Sequence, residues 1–270
     1  MKARKLSLAA LTVLELSPPD MVSCADDAGY SHIGIRLIPA TDTEPKWPMV
    51  GDTPMVREVR RRLADRGVTV LDIEIFRLKP DTRVADFEQA LETGARLGAT
   101  AVLVAGNDPD EARLTQRFAS LCELGARFGL TMNLEAMPWT DVRDLGQAVR
   151  IASHAARQNG GVLIDPIHFD RGGNVAADIA TVPTTMLHYA QLCDAPAERP
   201  HDTETLLLQA RAERLMPGDG GLDLRGILQA LPRTLPLGLE IPMHTLARTV
   251  GAVERARRMR VKTEALLGSL

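Results

Sequence analysis

Glycine recurs at a fixed interval through the middle of this chain. Four glycines lie 31 residues apart, at Gly67, Gly98, Gly129 and Gly160. Each follows a helix-like segment and precedes an apolar, strand-like one. Glycine just past a helix ends it readily, because it adopts the left-handed conformation without a steric penalty. A repeated unit of helix, glycine and strand, about 30 residues long, predicts parallel strands with helices packed outside them.

The pattern continues on both sides of the repeat. Helices are predicted from Pro18 to Gly29, from about Thr53 to Gly67, and over residues 244–267. Eight units of strand and helix in 270 residues predict a single (β/α)8 TIM barrel domain spanning residues 1–270. A doubly wound open sheet is the alternative, but no G-x-G-x-x-G motif follows the first strand. The eight strands are predicted near 5–10, 32–37, 67–76, 98–106, 129–137, 160–167, 187–192 and 236–241.

Composition narrows the class of protein. Charged residues make up 25% of the chain, the net charge is -3 and only nine residues are aromatic, a composition that argues against nucleic acid as a partner. The three cysteines are widely spaced and odd in number, which favours a reducing, cytoplasmic location over a disulfide framework.

The first residues are basic and then apolar, as in a signal peptide. Glu15 interrupts the apolar run and no cleavage pattern follows, so the segment is interpreted as the first strand. No apolar run approaches the roughly 20 residues that cross a bilayer. We therefore expect a protein without a membrane partner whose ligand is a small molecule.

Polar side chains end the fifth to eighth predicted strands. In LTMNLE, alternation puts Asn133 and Glu135 on one face, which is expected to point into the barrel. The same alternation points Asp165, Gln191 and Glu240 inward at the ends of the next three strands. A single strand-end acid is usually a helix cap or half of an ion pair, but four consecutive strands favour a shared site at the face where barrel enzymes react.

Several carboxylates at one barrel mouth repel one another unless a cation or protons neutralise them. Oxygen ligands without cysteine suit Mg²⁺ or Mn²⁺ and also admit Co²⁺ or Zn²⁺. One divalent cation is therefore predicted. Its candidate ligands are Glu135, Asp165, Gln191 and Glu240.

Other polar residues near strand ends are candidates for contacts with a substrate. His168 lies three residues after Asp165 and is otherwise a solvent-facing loop histidine. In the third strand, Glu74 either contacts substrate or pairs internally beside Asp72. Asn107 follows the fourth strand and is a candidate lining residue. Loops 38–53 and 194–203 follow strands on the same face and are expected to shape the site.

The chain resembles the sugar phosphate isomerase/epimerase family, whose barrels are xylose isomerase-like. Its members include keto-sugar 3-epimerases, hydroxypyruvate isomerase, inosose dehydratase and 3-dehydroshikimate dehydratase. In that family a Glu, an Asp, a His or Gln, and a second Glu bind one divalent metal. These positions match the four predicted ligands, with Gln191 in the third place. The matching segments are LSLAALTVLELSPPDMVSCADDAGYSHIGIRL, NLEAMPW, LIDPIHFDRGG, YAQLCDA, RLMPGDGGLDL and GLEIP.

The resemblance also implies roles for residues. Glu135 and Glu240 match the pair that exchanges protons beside a carbonyl, and His168 matches a histidine that contacts substrate. The family often carries an arginine after the seventh strand that contacts substrate oxygens. Arg214, before the PGDG turn, is our first choice and Arg211 our second, with an exposed helical arginine as the alternative.

The leading hypothesis is a divalent-metal-dependent isomerase or epimerase of a small keto-sugar or hydroxy keto-acid, phosphorylated or not. It would abstract a proton next to a metal-polarised carbonyl. A lyase or dehydratase on the same site is the alternative, and a non-catalytic binding barrel is a third reading. A nuclease relative would need more histidines than the six present. Family habit favours dimers and tetramers, so a homo-oligomer is also expected.

Overall fold

The computed structural model describes residues 4–270, in which eight parallel strands form one nearly closed TIM barrel. The hydrogen-bonded order is β6-β5-β4-β3-β2-β1-β8-β7. The two ends of this order approach each other, because the Gln191 amide donates to the Ile164 carbonyl at 2.9 Å. The strands are β1 (Leu6–Leu8), β2 (His32–Arg36), β3 (Thr69–Leu78), β4 (Ala101–Gly106), β5 (Thr131–Glu135), β6 (Gly160–Leu163), β7 (Ala190–Leu192) and β8 (Leu237–Leu239).

Helices follow the strands and cover the outside of the barrel. The predicted final helix over 244–267 is wrong, because Gly251 caps a separate helix after a short one. The first strand is also shorter than predicted and gives way to a 3-10 turn at Ala10–Val13. The helices are α1 (Pro18–Asp27), α2 (Pro54–Arg66), α3 (Glu88–Arg96), α4 (Glu111–Ala126), α5 (Leu145–Ala155), α6 (Pro166–Arg171), α7 (Thr203–Arg211), α8 (Leu224–Ala230), α9 (His244–Ala247) and α10 (Ala252–Gly268).

Three of the four repeated glycines have the predicted role. Gly67, Gly98 and Gly129 follow helices with φ of 65°, 90° and 71°, the left-handed region. The prediction is wrong for Gly160, which is the first residue of β6. There α5 ends instead at Ala156, which takes a left-handed φ of 51°.

Gly129→Ala is expected to destabilise the protein by about 1 kcal/mol, because alanine resists the left-handed backbone that the turn requires. A Cβ at this position would meet no atom within 4 Å, so the effect isolates backbone strain. Gly268→Ala is the control, because Gly268 lies within a helix, where alanine is favoured, and its surroundings are equally open. Urea unfolding measures both variants. Equal stability of the two would contradict this role of Gly129.

Apolar side chains form two layers that place the polar residues at one end of the barrel. The outer layer lies between strands and helices and includes Met132 and Leu134 from β5. A smaller cluster inside the barrel includes Leu103, Leu163 and Tyr189. The predicted alternation in β5 is therefore confirmed, and it leaves the Glu135 carboxylate at the end of the strand facing inward.

The three cysteines, at positions 24, 122 and 193, are buried free thiols. Within residues 4–270, every helix is too short or too polar to cross a membrane.

Candidate active site

A cavity of about 270 Å³ opens at the carboxyl ends of the strands. A larger cavity, about 930 Å³, lies at the other end of the barrel beside Lys5 and Leu6. The smaller one is the candidate active site, because the carboxyl ends of β5 and β8 bring carboxylates to it. Its walls include Glu74, Glu135, Trp139, His168, Arg214 and Glu240.

Glu135, Asp165 and His168 form a compact, buried cluster beside this cavity. Their potential ligand atoms all lie within 4.8 Å of one another. His168 Nε2 is 3.7 Å from Glu135 Oε1 and 3.9 Å from Asp165 Oδ2. His168 is 4% exposed and packs edge-on against Trp139, so it is not a solvent-facing loop histidine.

Local sequence explains how Asp165 and His168 come together. Asp165 is the N-cap of α6, and its carboxylate accepts a hydrogen bond from the Ile167 amide at 3.0 Å. Pro166 occupies the first helical position, where its missing N–H is not needed and its fixed φ suits the helix. One turn later the helix places His168 above the strand ends. The carboxylate therefore both caps a helix and belongs to the cluster with Glu135 and His168.

Arg214 lies at the centre of the site and is 2% exposed. Its Nη1 donates to Asp165 Oδ2 at 2.6 Å, and its Nη2 lies 2.9 Å from Glu240 Oε2. Nη1 also donates to the Glu240 carbonyl at 3.0 Å, and Nε donates to the Ala210 carbonyl at 2.7 Å. One guanidinium thus bridges two of the predicted metal ligands. The family resemblance suggested that Arg214 contacts substrate. Nothing in the sequence predicted that it would bridge Asp165 and Glu240.

Asp194 fixes the loop that carries Arg214. The backbones of Asp194 and Leu215 exchange two hydrogen bonds, at 2.9 and 2.8 Å. Buried carboxylates that accept several amide hydrogen bonds hold a loop in one conformation. The Asp194 carboxylate accepts from four backbone amides, those of Ala195, Gly218, Gly220 and Leu222.

The site shifts the pKa values of its acids in opposite directions. Burial, then the charges of Glu240 and Asp165, raise the pKa of Glu135 well above its ordinary value. Burial raises the pKa of Glu240 to about 7 although Arg214 opposes the shift. Burial also acts on Asp165, but there the adjacent Arg214 prevails and lowers the pKa. Relative to a carboxyl group in water, the ionised form is therefore favoured at Asp165 and the protonated form at the two glutamates.

His168 is a neutral imidazole at physiological pH. Burial lowers its pKa to about 4, and the attraction of Asp165 is too weak to reverse this. Its Nδ1 is buried and has no hydrogen-bond partner among the described residues. A neutral imidazole can donate or accept a hydrogen bond toward a ligand but adds no charge.

The acids of β3 form a separate group beside the site. Glu74 Oε2 accepts from Arg36 at 2.7 Å, and Glu74 Oε1 accepts from the Ala10 amide at 3.2 Å. Asp72 lies deeper, 3.5 Å from the Tyr189 hydroxyl, and burial followed by the charge of Glu74 raises its pKa. Glu74 lines the cavity and is held there by Arg36.

The donor atoms of the site fit a divalent cation. Glu135 Oε1 and Gln191 Oε1 are buried oxygens with no hydrogen-bond partner in the described part of the chain. Such orphaned oxygens are costly unless a partner satisfies them. Asp165 and His168 complete the compact cluster with Glu135, whereas Glu240 is not a member of it and is paired with Arg214. Oxygen-rich sets of this kind suit hard divalent ions.

Several residues of the site were not predicted from the sequence. Arg36 and Arg77 lie at the carboxyl ends of β2 and β3 and line the cavity, so strand position alone could have found them. Cys193 donates to Asp165 Oδ1 at 3.3 Å and packs under the carboxylate. Asn107 accepts from Arg77 at 3.0 Å and is placed behind the cavity wall, not in it.

The family model for the xylose isomerase-like TIM barrel matches residues 23–262. Comparison with curated protein sequences gives no match. A xylose isomerase-like TIM barrel/4-hydroxyphenylpyruvate dioxygenase fusion protein is similar over 96% of this chain, which spans only 42% of the fusion, at 22% identity and a TM-score of 0.79.

Solved structures of similar length share the fold at low identity. The IolI protein with a bound zinc atom has a TM-score of 0.78 and 19% identity over 98% of both chains. D-psicose 3-epimerase with D-tagatose, from Clostridium cellulolyticum H10, has a TM-score of 0.74 and 13% identity over 97% of this chain and 99% of that one. The probable 3-DHS dehydratase AsbF of Bacillus anthracis has a TM-score of 0.71 and 15% identity over 96% of this chain and 98% of that one.

Proposed function

The chain belongs to the xylose isomerase-like TIM barrel family, and from this premise we propose that it is a divalent-metal-dependent isomerase or epimerase. Its substrate is a small keto-sugar or hydroxy keto-acid, with or without a phosphate. The reaction moves a proton at a carbon next to a carbonyl. The comparison with D-psicose 3-epimerase supports this class of reaction at the level of the fold.

One observation carries the proposal. Glu135 and Glu240 are buried carboxyl groups on the wall of one cavity. A carboxylate placed beside a bound carbon can accept a proton from it and return one to it. The two groups come from different strands, β5 and β8, and so can serve a bound carbon from two directions. An epimerase needs that arrangement.

The neighbours of these glutamates can position the substrate and balance the charges of the site. Arg214 donates a hydrogen bond to the Glu240 backbone carbonyl and forms an ion pair with the Glu240 carboxylate, so it can hold this residue at the cavity wall. Neutral His168 offers a hydrogen bond to a substrate hydroxyl or carbonyl oxygen. A divalent cation held by Glu135, Asp165, Gln191 and Glu240 would supply polarisation of the substrate carbonyl. The zinc bound in the IolI protein supports a metal in this type of barrel.

A lyase or dehydratase remains the second candidate, because the same proton abstraction can end in loss of a neighbouring hydroxyl. The resemblance to the probable dehydratase AsbF supports this alternative. The three buried, unpaired thiols suit a cytoplasmic enzyme, where they would stay reduced.

The proposal is tested by incubating the protein with Mn²⁺ in D₂O and keto-sugars, their phosphates or hydroxy keto-acids. We expect one substrate to give an isomer of unchanged formula that carries solvent deuterium next to the carbonyl. Mass spectrometry and NMR detect it. A product lighter by one water, with new ultraviolet absorbance, would establish the lyase instead. No exchange and no product with any compound would contradict enzymatic function.

A further inference from the structure

Four arginines line the cavity, and they differ in how their charges are neutralised. Arg214 is paired with two carboxylates of the site. Arg36 is paired with Glu44 at 2.8 Å and with Glu74 at 2.7 Å. The other two, Arg77 and Arg211, have no carboxylate within 4.0 Å anywhere in residues 4–270. They add two unneutralised positive charges to a small cavity.

Neutral groups hold these two arginines in place. Arg77 Nη1 donates to Asn107 Oδ1 at 3.0 Å, and the Arg211 guanidinium carbon lies 5.5 Å from the centre of the Trp139 ring. Glu44 is the nearby acid that could have paired with Arg211. Its carboxylate is instead engaged by Arg36 and by the Ala40 amide at 2.9 Å.

The two guanidinium groups line the same cavity as Glu135 and Glu240. The pKa of Arg77 is lowered by burial and then by the charge of Arg211, while the charge of Glu135 opposes the shift. The pKa of Arg211 is likewise lowered by burial. Both side chains are half-buried and remain charged at any physiological pH. Two like charges held together, partly out of water, are unfavourable unless an anion joins them.

We propose that Arg77 and Arg211 form a subsite that binds the anionic end of the substrate, a carboxylate or a phosphate. This inference rests on the proposed function and deepens it: the substrate is an acid or a phosphate ester, not a neutral sugar. Planar guanidinium forks match the oxygens of either group with paired hydrogen bonds. The cavity volume of about 270 Å³ limits the ligand to a few carbons between this subsite and the two glutamates.

The test measures anion binding by calorimetry on the full-length protein in 0.15 M salt. The probes are glycolate, its neutral counterpart glycolamide, and inorganic phosphate. We expect glycolate or phosphate to bind roughly ten-fold or more tightly than glycolamide, and Arg77→Gln and Arg211→Gln each to weaken that anion roughly ten-fold. Binding of glycolate that depends on these arginines indicates that the anionic end of the substrate is a carboxylate, and such binding of phosphate indicates that it is a phosphate. Arg83→Gln, an equal loss of charge at an exposed position, serves as the control and should bind like the wild type.

Measurements of anion binding and of turnover test the subsite and the proposed function separately. Loss of anion binding in the two variants supports the subsite even if no compound reacts. Equal binding of anions by the variants and the wild type would overturn it. So would a neutral keto-sugar whose kcat and KM are unchanged in Arg77→Gln and Arg211→Gln, although the proposed isomerase would then stand. Arg77→Lys and Arg211→Lys, which keep the charge, should recover part of the affinity.

Discussion

Glu240→Gln is expected to lower kcat by roughly 10²- to 10⁴-fold while the protein stays folded. The hydrogen bond from Arg214 to the backbone carbonyl of residue 240 is kept, but the side chain can no longer take up or return a proton. Glu135→Gln should cause a loss of the same order, because a reaction that uses two proton carriers stops when either is removed. Initial rates of solvent deuterium exchange and of product formation measure both variants.

A control variant and a test of folding show whether the loss of activity is specific to these glutamates. Glu123→Gln removes a carboxylate from the exposed face of α4 and should leave kcat unchanged. Circular dichroism and thermal melting show whether the active-site variants keep the fold. A fall of less than ten-fold in a folded Glu240→Gln variant would remove this residue from the proton-transfer step.

Arg214→Met is expected to destabilise the protein by about 3–5 kcal/mol. The substitution keeps a long side chain but leaves the Asp165 carboxylate buried without its cationic partner and removes the ion pair with Glu240. It also removes hydrogen bonds to two backbone carbonyls. Chemical denaturation at neutral pH gives the change in the free energy of unfolding.

Arg248→Met is the control, because Arg248 is exposed and its loss should change stability by less than about 0.5 kcal/mol. Mn²⁺ gives a second measurement on the Arg214→Met variant. If a cation and Arg214 share the neutralisation of Asp165 and Glu240, Mn²⁺ raises the melting temperature of the variant more than that of the wild type. Equal stability of the two arginine variants would show that the bridge contributes little.

Much of the barrel could be predicted from local sequence. Residue alternation gave the inward faces of the strands, and glycines in the left-handed region marked three helix ends. Strand ends were less accurate: β7 begins at Ala190 and not at 187, because a 3-10 turn at Thr184–Met186 uses the preceding residues. The hydrogen-bonded strand therefore covers fewer residues than the apolar pattern does.

The site could be predicted only in part, for a physical reason. The strand-end residues Glu135 and Glu240 were found because strand geometry alone sets their direction. The bridge through Arg214 depends on a loop whose conformation is fixed by long-range contacts to Asp194, and no local pattern shows such contacts. The same holds for Arg211, whose surroundings come from separate parts of the chain.

The most direct test is the divalent-metal content of the purified protein, measured by elemental analysis beside Glu135→Gln and Gln191→Leu. If the strand-end oxygens form a cation site, the wild type holds about one divalent ion per chain after loading with Mn²⁺, and its melting temperature rises. The variants hold less, and Mn²⁺ shifts their melting temperatures less. If the wild type holds no ion and Mn²⁺ leaves its melting temperature unchanged, Arg214 alone neutralises these carboxylates and the metal-dependent function is wrong.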